Sequence, residues 1–266
     1  MAFLLYQFIA SKKKSLFWSC IKSTFVPHTI QKPLKRMMDM CGRFTLYSAF
    51  DDIIDQFDID QFFPKGEYQP SYNVAPSQNI LAIINDGSNN RLGKLRWGLI
   101  PPWAKDEKIG YKMINARAET ITEKPAFRRP LVSKRCIIPA DSFYEWKRLD
   151  SKTKIPMRIK LKSSALFAFA GLYEKWSTHQ GYPLYTCTII TTEPNEFMKD
   201  IHDRMPVILA HDHEKEWLNP QNTSPDYLQS LLLPYDADDM EAYQVSSLVN
   251  SPKNNSAELL DAENHM

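Results

Sequence analysis

The sequence contains little of what several familiar classes of protein require. Its 266 residues include 8 glycines and 4 cysteines, and no two cysteines stand in a CxxC pair. This spacing excludes a dense disulfide framework, so a reducing, cytoplasmic compartment is the expected location. No stretch approaches 18 apolar residues, which is about the length that a membrane-spanning helix needs, and no internal repeat is present.

Excess charge is also scarce, since the net charge is only +2. Residues 1–39 hold seven basic side chains and one acidic one, which leaves a net charge of −4 for residues 40–266. The chain as a whole therefore lacks the strongly basic character of many nucleic-acid-binding proteins. Any such surface in residues 40–266 has to be a local basic patch on a mildly acidic body.

The composition, 43% hydrophobic and 24% charged, is that of a globular protein with a sizeable core. The 18 prolines and the few long periodic segments favour short strands joined by turns. We predict one β-rich α+β domain over residues 40–252 with peripheral helices, built as a closed or nearly closed barrel, and a frayed polar tail over 253–266. The predicted strands are 79–85, 94–99, 135–139, 142–147, 156–160, 166–173, 185–191, 206–209 and 242–249, and the predicted helices are 49–57, 116–122, 211–218 and 225–232.

Residues 1–39 show neither the alternation of a strand nor the stripe of an amphipathic helix. They are compatible with a disordered basic arm or with a segment upstream of the real translation start. We favour the second explanation, because Lys35-Arg36-Met37 can be encoded by purine-rich codons that resemble a bacterial ribosome-binding site ahead of Met40.

The Met40-Cys41 pair has a special chemistry if the methionine is an initiator that is removed. An N-terminal cysteine carries an α-amine and a thiol on adjacent carbons. The amine condenses with an aldehyde and the thiol then closes a thiazolidine ring, which an internal cysteine cannot do. The α-amine titrates near 7.7–8.0 and lysine near 10.4, so the free-amine fraction at neutral pH is larger by about 10². On its own, the pair favours an ordinary position inside a longer chain, and the rest of the sequence reverses this preference.

Unusual polar residues lie beside aromatic ones in four segments. They are residues 41–44 (CGRF), 97–103 with 115–120 (WGLIPPW and NARAET), 138–146 (IPADSFYEW) and 201–206 (IHDRMP). In this order, the chain from residue 41 to about 261 resembles the SRAP family, the SOS response-associated peptidase domain of abasic-site processing proteins. The resemblance implies a β-barrel-like domain with a positively charged cleft for single-stranded DNA. It also implies a covalent thiazolidine link to the aldehyde of an abasic site, and residues 1–39 are the one large departure.

The resemblance assigns four catalytic residues. Cys41 is the covalent nucleophile, and Asn115 matches the asparagine of the NARAE segment, whose amide is expected to position the Cys41 backbone or the opened sugar. Glu145 matches the glutamate of FYEW, where two aromatic neighbours are expected to desolvate the carboxylate and raise its pKa. His202 matches the family's active-site histidine, which suits proton transfer. Taken alone, Asn115 is also compatible with a turn, Glu145 with a solvent-facing strand position and His202 with a helix end.

DNA contacts are expected from residues in the same segments. Arg43, Arg117 and Arg204 are assigned to phosphates, and Trp97 and Trp103 to base stacking. Either tryptophan is also compatible with core packing, Trp97 more so. The basic pairs at 128–129 and 134–135 are assigned to this surface only weakly.

The expected partner is single-stranded DNA with abasic sites, bound by a monomer without a cofactor, a metal ion or a membrane contact. One alternative is a cysteine peptidase that uses Cys41 with His202 and Asn115 and cleaves its own chain at Met40-Cys41. Another is a zinc-binding module built from His211 and His213 with Cys136 or Cys187, which the lack of a CxxC or HExxH motif disfavours.

Overall fold

The computed structural model describes residues 41–163 and 165–263, so the expectations for residues 1–39 lie outside the described residues. Within the described ranges the chain forms strands β1 (Phe44–Leu46), β2 (Ser71–Val74), β3 (Asn79–Asn85), β4 (Asn90–Trp97), β5 (Asn115–Arg117), β6 (Arg135–Ala140), β7 (Ser142–Arg148), β8 (Lys154–Leu161), β9 (Phe167–Ser177), β10 (Pro183–Thr192), β11 (Met205–Pro206), β12 (Ile208–Leu209) and β13 (Met240–Gln244). The α-helices are α1 (Phe50–Gln56), α2 (Pro125–Ser133), α3 (His211–Leu218) and α4 (Pro225–Ser230).

Five strands close into a barrel. The ring runs β10–β4–β3–β6–β9 and returns to β10, with β4 parallel to β10 and the other neighbours antiparallel. Closure leaves these strands without free edges, and β5 and β11 pair with β10 while β12 pairs with β9. The predicted barrel is therefore confirmed.

A second sheet of five strands, in the order β13–β8–β7–β1–β2, continues directly from the barrel. Strands β6 and β7 belong to different sheets and are separated only by Asp141. The Asp141 carboxylate accepts hydrogen bonds from the backbone N–H groups of Tyr47 and Ser48, which follow β1. The buried carboxylate thereby fixes the corner between the two sheets, although burial raises the pKa of Asp141.

An aromatic cluster fills the space where the two sheets meet. Phe44 of β1 packs against Trp97 and Phe169, with ring centroids 5.4 and 5.8 Å apart, and Phe143 of β7 lies 6.1 Å from Phe169. All four side chains are buried. Each such ring contributes about 1.5–3 kcal/mol through burial, so the junction is a rigid floor for the residues above it.

The predicted frayed tail is wrong for residues 253–263. A 3₁₀ turn at Ala257–Leu260 places Leu259 in a small core with Tyr144 and Trp146, where its side chain is 1% exposed. Val245 and Ala262 then form a β-bridge. The tail is polar in composition, but one apolar residue, Leu259, anchors it to the domain. Residues 264–266 lie outside the described residues.

Replacing Leu259 with alanine should lower the free energy of unfolding by about 2–4 kcal/mol, because it leaves a cavity in this small core. Urea denaturation would measure the loss. Leu248→Ala is the matched control, since Leu248 is 55% exposed in the same part of the chain. Equal effects of the two substitutions would contradict a packed tail.

In the described part of the chain, the helices are all too short or too polar to cross a membrane.

Candidate active site

Cys41 lies three residues before β1 and is buried, with 6% of its surface exposed. The chain here is held from both sheets. The carbonyl oxygen of Arg43 accepts a hydrogen bond from the backbone N–H of Tyr144 in β7, at 2.9 Å. Asn115 Nδ2 donates to the carbonyl oxygen of Cys41 at 3.1 Å, and Asn115 opens β5, which runs parallel to β10. The cysteine therefore has a fixed backbone position at the junction of the sheets.

Glu145 of β7 is fully buried beside Cys41. Its side chain is 0% exposed, and neither carboxylate oxygen has a hydrogen-bond partner among the described residues. His202 Nε2 lies 3.8 Å from Glu145 Oε2. Burial raises the pKa of Glu145 above its ordinary value, and the nearby imidazole of His202 only partly opposes this. The arrangement favours a protonated carboxyl group that can donate a hydrogen bond or a proton.

The Cys41 thiol is held in its neutral form. Burial raises its pKa well above the ordinary value, and negative charge on Glu145, when that carboxyl group is ionised, raises it further. The positive charge of Arg204 acts weakly in the opposite direction. The donor atoms of Cys41, Glu145 and His202 all lie within 4.8 Å of one another, so a proton leaving the thiol has acceptors close by.

His202 lies in the loop between β10 and β11, directly after the 3₁₀ turn Met198–Asp200. Its backbone N–H donates to the carbonyl oxygen of Met198 at 2.9 Å. Its Nδ1 faces the N–H of Arg204 at 3.1 Å, and it also lies 3.2 Å from both the carbonyl oxygen of Arg204 and Asp203 Oδ1. Because Nδ1 has a donor and two acceptors in reach, the ring can carry its proton on either nitrogen. That property suits a proton shuttle.

The guanidinium of Arg204 is engaged within the protein. It makes a two-pronged ion pair with Glu119, at 2.8 and 2.9 Å, and donates to the carbonyl oxygen of Thr191 at 2.8 Å. These bonds tie the loop that carries His202 to the barrel strand β10 and to the residues after β5. The sequence assigned Arg204 to phosphate, and a phosphate would have to compete with Glu119 for it.

Arg43 is engaged in the same way. Its Nη1 donates to Asn73 Oδ1 at 2.8 Å and to the carbonyl oxygen of Val249 at 2.6 Å, and its guanidinium lies 5.7 Å from the centre of the Trp146 ring. It thereby anchors the 3₁₀ turn Ser247–Asn250 to β1 and β7. By contrast, Arg117 and Trp103 are exposed, the tryptophan by 60%. These two side chains have surface free for a ligand.

The assignment of Trp97 to base stacking is wrong. Its side chain is 1% exposed, and its indole N–H donates to the carbonyl oxygen of Ile114 at 2.8 Å. Trp97 therefore positions the residue that precedes Asn115. The next residue, Gly98, has φ of +127°, and a Cβ there would lie 2.8 Å from the carbonyl oxygen of Gly110. The WGLIPPW segment thus supports the active site through buried contacts.

A basic groove that sequence reasoning missed opens beside His202. This cavity of about 520 Å³ is lined by Trp146, Arg148, Lys154, Lys199, Asp200, Ile201, His202 and Asp203. Arg148 and Lys154 face each other across the β7–β8 hairpin. The alternation of residues 142–148 continues to Arg148, but only the hairpin register shows that Lys154 returns to the same place. We call this cavity the basic groove.

The zinc-module alternative finds no support in the described residues. Cys136 and Cys187 are fully buried in barrel strands, and His211 pairs with Glu214 at 3.2 Å on α3. The metal-ligating side chains that do cluster are Cys41, Glu145 and His202.

A family model described as SOS response associated peptidase (SRAP) matches residues 40–252. The chain is 86% identical over 223 residues to the abasic site processing protein YoqW of Bacillus subtilis (strain 168), covering 84% of this chain and 100% of that protein. It is 34% identical over 226 residues to the abasic site processing protein HMCES of Xenopus tropicalis, covering 74% of this chain and 67% of that protein. A solved structure from Bacteroides thetaiotaomicron is similar, with a TM-score of 0.76 at 30% identity, over 84% of this chain and 100% of that one.

Proposed function

Because the chain belongs to the SRAP family, we propose that it processes abasic sites in DNA, as its curated relatives are named for doing. More specifically, Cys41 becomes the N-terminal residue and forms a thiazolidine with the aldehyde of an abasic deoxyribose in single-stranded DNA. The observation that carries this proposal is the cluster of Cys41, Glu145 and His202, with Asn115 holding the cysteine backbone. A matching family model that starts at residue 40 supports the position of the mature N-terminus.

The mechanism begins with ring opening. An abasic deoxyribose is mostly a closed hemiacetal, and the aldehyde is released when Glu145 or His202 protonates the ring oxygen while the anomeric hydroxyl gives its proton to the other of the two groups or to water. The α-amine of Cys41 adds to the carbonyl carbon, and the resulting carbinolamine loses water to form an iminium ion. Glu145 is suited to act as the acid in these steps, because burial raises the pKa of its carboxyl group.

Ring closure follows at the thiol. The sulfur of Cys41 bonds to the iminium carbon, the C=N π electrons move to nitrogen, and the thiol proton passes to Glu145 or His202. An iminium left open acts as an electron sink and permits β-elimination, which breaks the DNA strand. The closed ring removes that sink, so the linkage protects the strand. A lyase activity would accordingly belong to the open iminium and not to the closed product.

The peptidase alternative is disfavoured by the position of Asn115. In a Cys/His/Asn arrangement the asparagine orients the imidazole. Here its Nδ2 donates to the carbonyl oxygen of Cys41, and burial keeps the thiol neutral. Self-cleavage at Met40-Cys41 remains a second way to expose the amine.

Denaturing gel electrophoresis tests the proposed chemistry. Protein that begins at Cys41 should give a heat-stable adduct with single-stranded DNA that contains one abasic site, and Cys41→Ala should give none. Cys187→Ser, which changes a buried thiol in the barrel, should leave the adduct intact. An undiminished adduct with Cys41→Ala would refute the assigned nucleophile.

The basic groove is the proposed path of the DNA backbone next to His202, joined by the exposed Arg117 and Trp103. Replacing both Lys154 and Lys199 with alanine should weaken binding to intact single-stranded DNA and lower the slope of log K against log salt by about 1.4, since each phosphate contact contributes about 0.7. Fluorescence anisotropy at several salt concentrations would measure this. The control is Lys65→Ala with Lys162→Ala, because Lys162 follows the opposite end of β8. The same decrease in both pairs would mean that total charge, and not the groove, governs binding.

A further inference from the structure

The cluster at the active site has the composition of a soft-metal site. A thiol, a carboxylate and an imidazole are three of the donors that bind zinc in proteins. Tetrahedral Zn²⁺, with bonds of about 2.0 Å to nitrogen or oxygen and about 2.3 Å to sulfur, holds its ligand atoms about 3.3–3.5 Å apart. The donor atoms of Cys41, Glu145 and His202 lie within 4.8 Å of one another, and His202 Nε2 is 3.8 Å from Glu145 Oε2. Small side-chain rotations would bring them to that spacing.

We propose that Cys41, Glu145 and His202 form a binding site for Zn²⁺, and that the bound ion blocks the crosslinking reaction. The second statement rests on the function proposed above, and the first does not. Zn²⁺ would occupy the thiol that closes the ring and the carboxylate that moves protons. The reaction of Cys41 with an aldehyde would then require that the ion dissociate first.

The charge of the site favours a divalent cation. Glu145 is 0% exposed and both of its oxygens lack a hydrogen-bond partner among the described residues, so burial disfavours an ionised carboxylate and the nearby His202 only partly offsets this. Zn²⁺ bound to one thiolate, one carboxylate and a neutral imidazole gives a site of zero net charge. Binding displaces the thiol proton, and also the carboxyl proton where Glu145 holds one, and both pass to the buffer. Affinity should therefore rise with pH.

The surroundings of His202 fit a metal ligand. A ligating histidine usually donates its second ring N–H to a carboxylate or a backbone carbonyl, which fixes the orientation of the ring. With Nε2 directed at Glu145, Nδ1 lies 3.2 Å from both Asp203 Oδ1 and the carbonyl oxygen of Arg204. Zinc ligation would place the ring proton on Nδ1, where it reaches these acceptors and replaces the hydrogen bond that Nδ1 accepts from the N–H of Arg204.

Processing at Met40-Cys41 would supply a fourth ligand. The α-amine and the thiolate of an N-terminal cysteine close a five-membered chelate ring on one ion. In the 266-residue chain the same nitrogen belongs to a peptide bond and is a poor ligand. Protein that begins at Cys41 should therefore bind Zn²⁺ at least about tenfold more tightly than the full chain.

Cobalt titration tests the site without reference to DNA. Co²⁺ reports thiolate ligation by a charge-transfer band, and competition with Zn²⁺ alone gives the zinc affinity. The band should be present in protein that begins at Cys41 and absent from Cys41→Ser, and Glu145→Gln and His202→Ala should each weaken binding by about 10-fold or more. His179→Ala, an exposed histidine elsewhere, should bind like the parent, and Mg²⁺ should not displace Co²⁺. The absence of a band would overturn the site. A band that survives Cys41→Ser would also overturn it, because the thiols of Cys136 or Cys187 would then be the cobalt ligands.

The effect on the reaction is measured separately. Zn²⁺ added before the abasic DNA should slow adduct formation, and a chelator should restore it. Undiminished adduct formation at a saturating concentration, set by the cobalt competition, would overturn the inhibition. If metal-free protein forms no adduct at all, the proposed function fails while the cobalt result still decides the metal site.

Discussion

Protein that begins at Cys41 is expected to form a covalent adduct with abasic single-stranded DNA, whereas the 266-residue chain is expected to form none. The reason is the state of one nitrogen. While Met40 is attached, the nitrogen of Cys41 is part of an amide, whose lone pair is delocalised and does not add to an aldehyde. Once it is a free α-amine with a pKa near 7.7–8.0, a substantial fraction is nucleophilic at neutral pH. Removing the upstream residues should therefore switch the reaction on completely.

The comparison uses two preparations that differ only in the presence of residues 1–40, and a denaturing gel with mass spectrometry measures the adduct. A third preparation, in which the α-amine of the short form is acetylated, separates the two proposed activities. Acetylation should abolish the adduct, while a peptidase needs only the thiol and should remain active. Equal adduct from the long and short forms, without cleavage of the long form during the assay, would refute the role of the α-amine.

The intact mass of the native protein decides whether such a form exists. A chain that begins at Cys41 would support the internal start or self-cleavage. A native chain that still begins at Met1 would reject both the internal start and self-cleavage. It would leave the protein with a blocked nucleophile.

Strands were predictable where the local pattern was strong. The apolar run within residues 79–85 and the turn that follows it identify β3 at its observed bounds. The same reading predicts a helix over 116–122, and this is wrong. Asn115–Arg117 is a strand, followed by a 3₁₀ turn at Ala118–Thr120. The pairing of residues 115–117 with β10 overrides the local helical preference. Residues 116–122 alone do not indicate that β10 is their partner.

In the candidate site, too, some features were predictable from the local sequence and others depend on partners that only the fold provides. The four motifs identify Cys41, Asn115, Glu145 and His202, and the structure brings these four side chains to one place. The roles of the arginines were not predictable, because they depend on acceptors that only the fold supplies. Arg43 reaches Val249, which is 206 positions away in sequence, and Arg204 reaches Glu119, which is 85 positions away. A basic residue within a motif thus signals proximity to the site but not contact with a ligand.

Glu145→Gln and His202→Ala should each slow adduct formation by about 10²–10⁴ without abolishing binding to intact single-stranded DNA. Glutamine keeps the shape of the carboxyl group but cannot transfer a proton. Glu145 is 0% exposed, so it has no surface to offer a phosphate. Single-turnover adduct formation gives the rate, and fluorescence anisotropy with intact DNA gives the affinity. Glu174→Gln is the control, because Glu174 is a buried glutamate on β9. Loss of DNA binding by Glu145→Gln would mean that its role is not proton transfer.

The pH dependence makes the assignment of Glu145 more specific. Burial raises the pKa of Glu145, so its acidic form persists to higher pH than that of an exposed glutamate and is lost as the pH rises through the raised pKa. The α-amine acts in the opposite sense, since it becomes free as the pH rises toward its own pKa near 7.7–8.0. The parent rate should therefore pass through a maximum, and Glu145→Gln should keep only the rising limb. Stability gives an independent readout, because a raised pKa in the folded state means that ionisation of Glu145 destabilises the fold above pH of about 4.3. Glu145→Gln should accordingly be more resistant to urea than the parent at pH 8, and this difference should disappear at pH 4. A falling limb retained by Glu145→Gln would assign the proton donor to His202 instead.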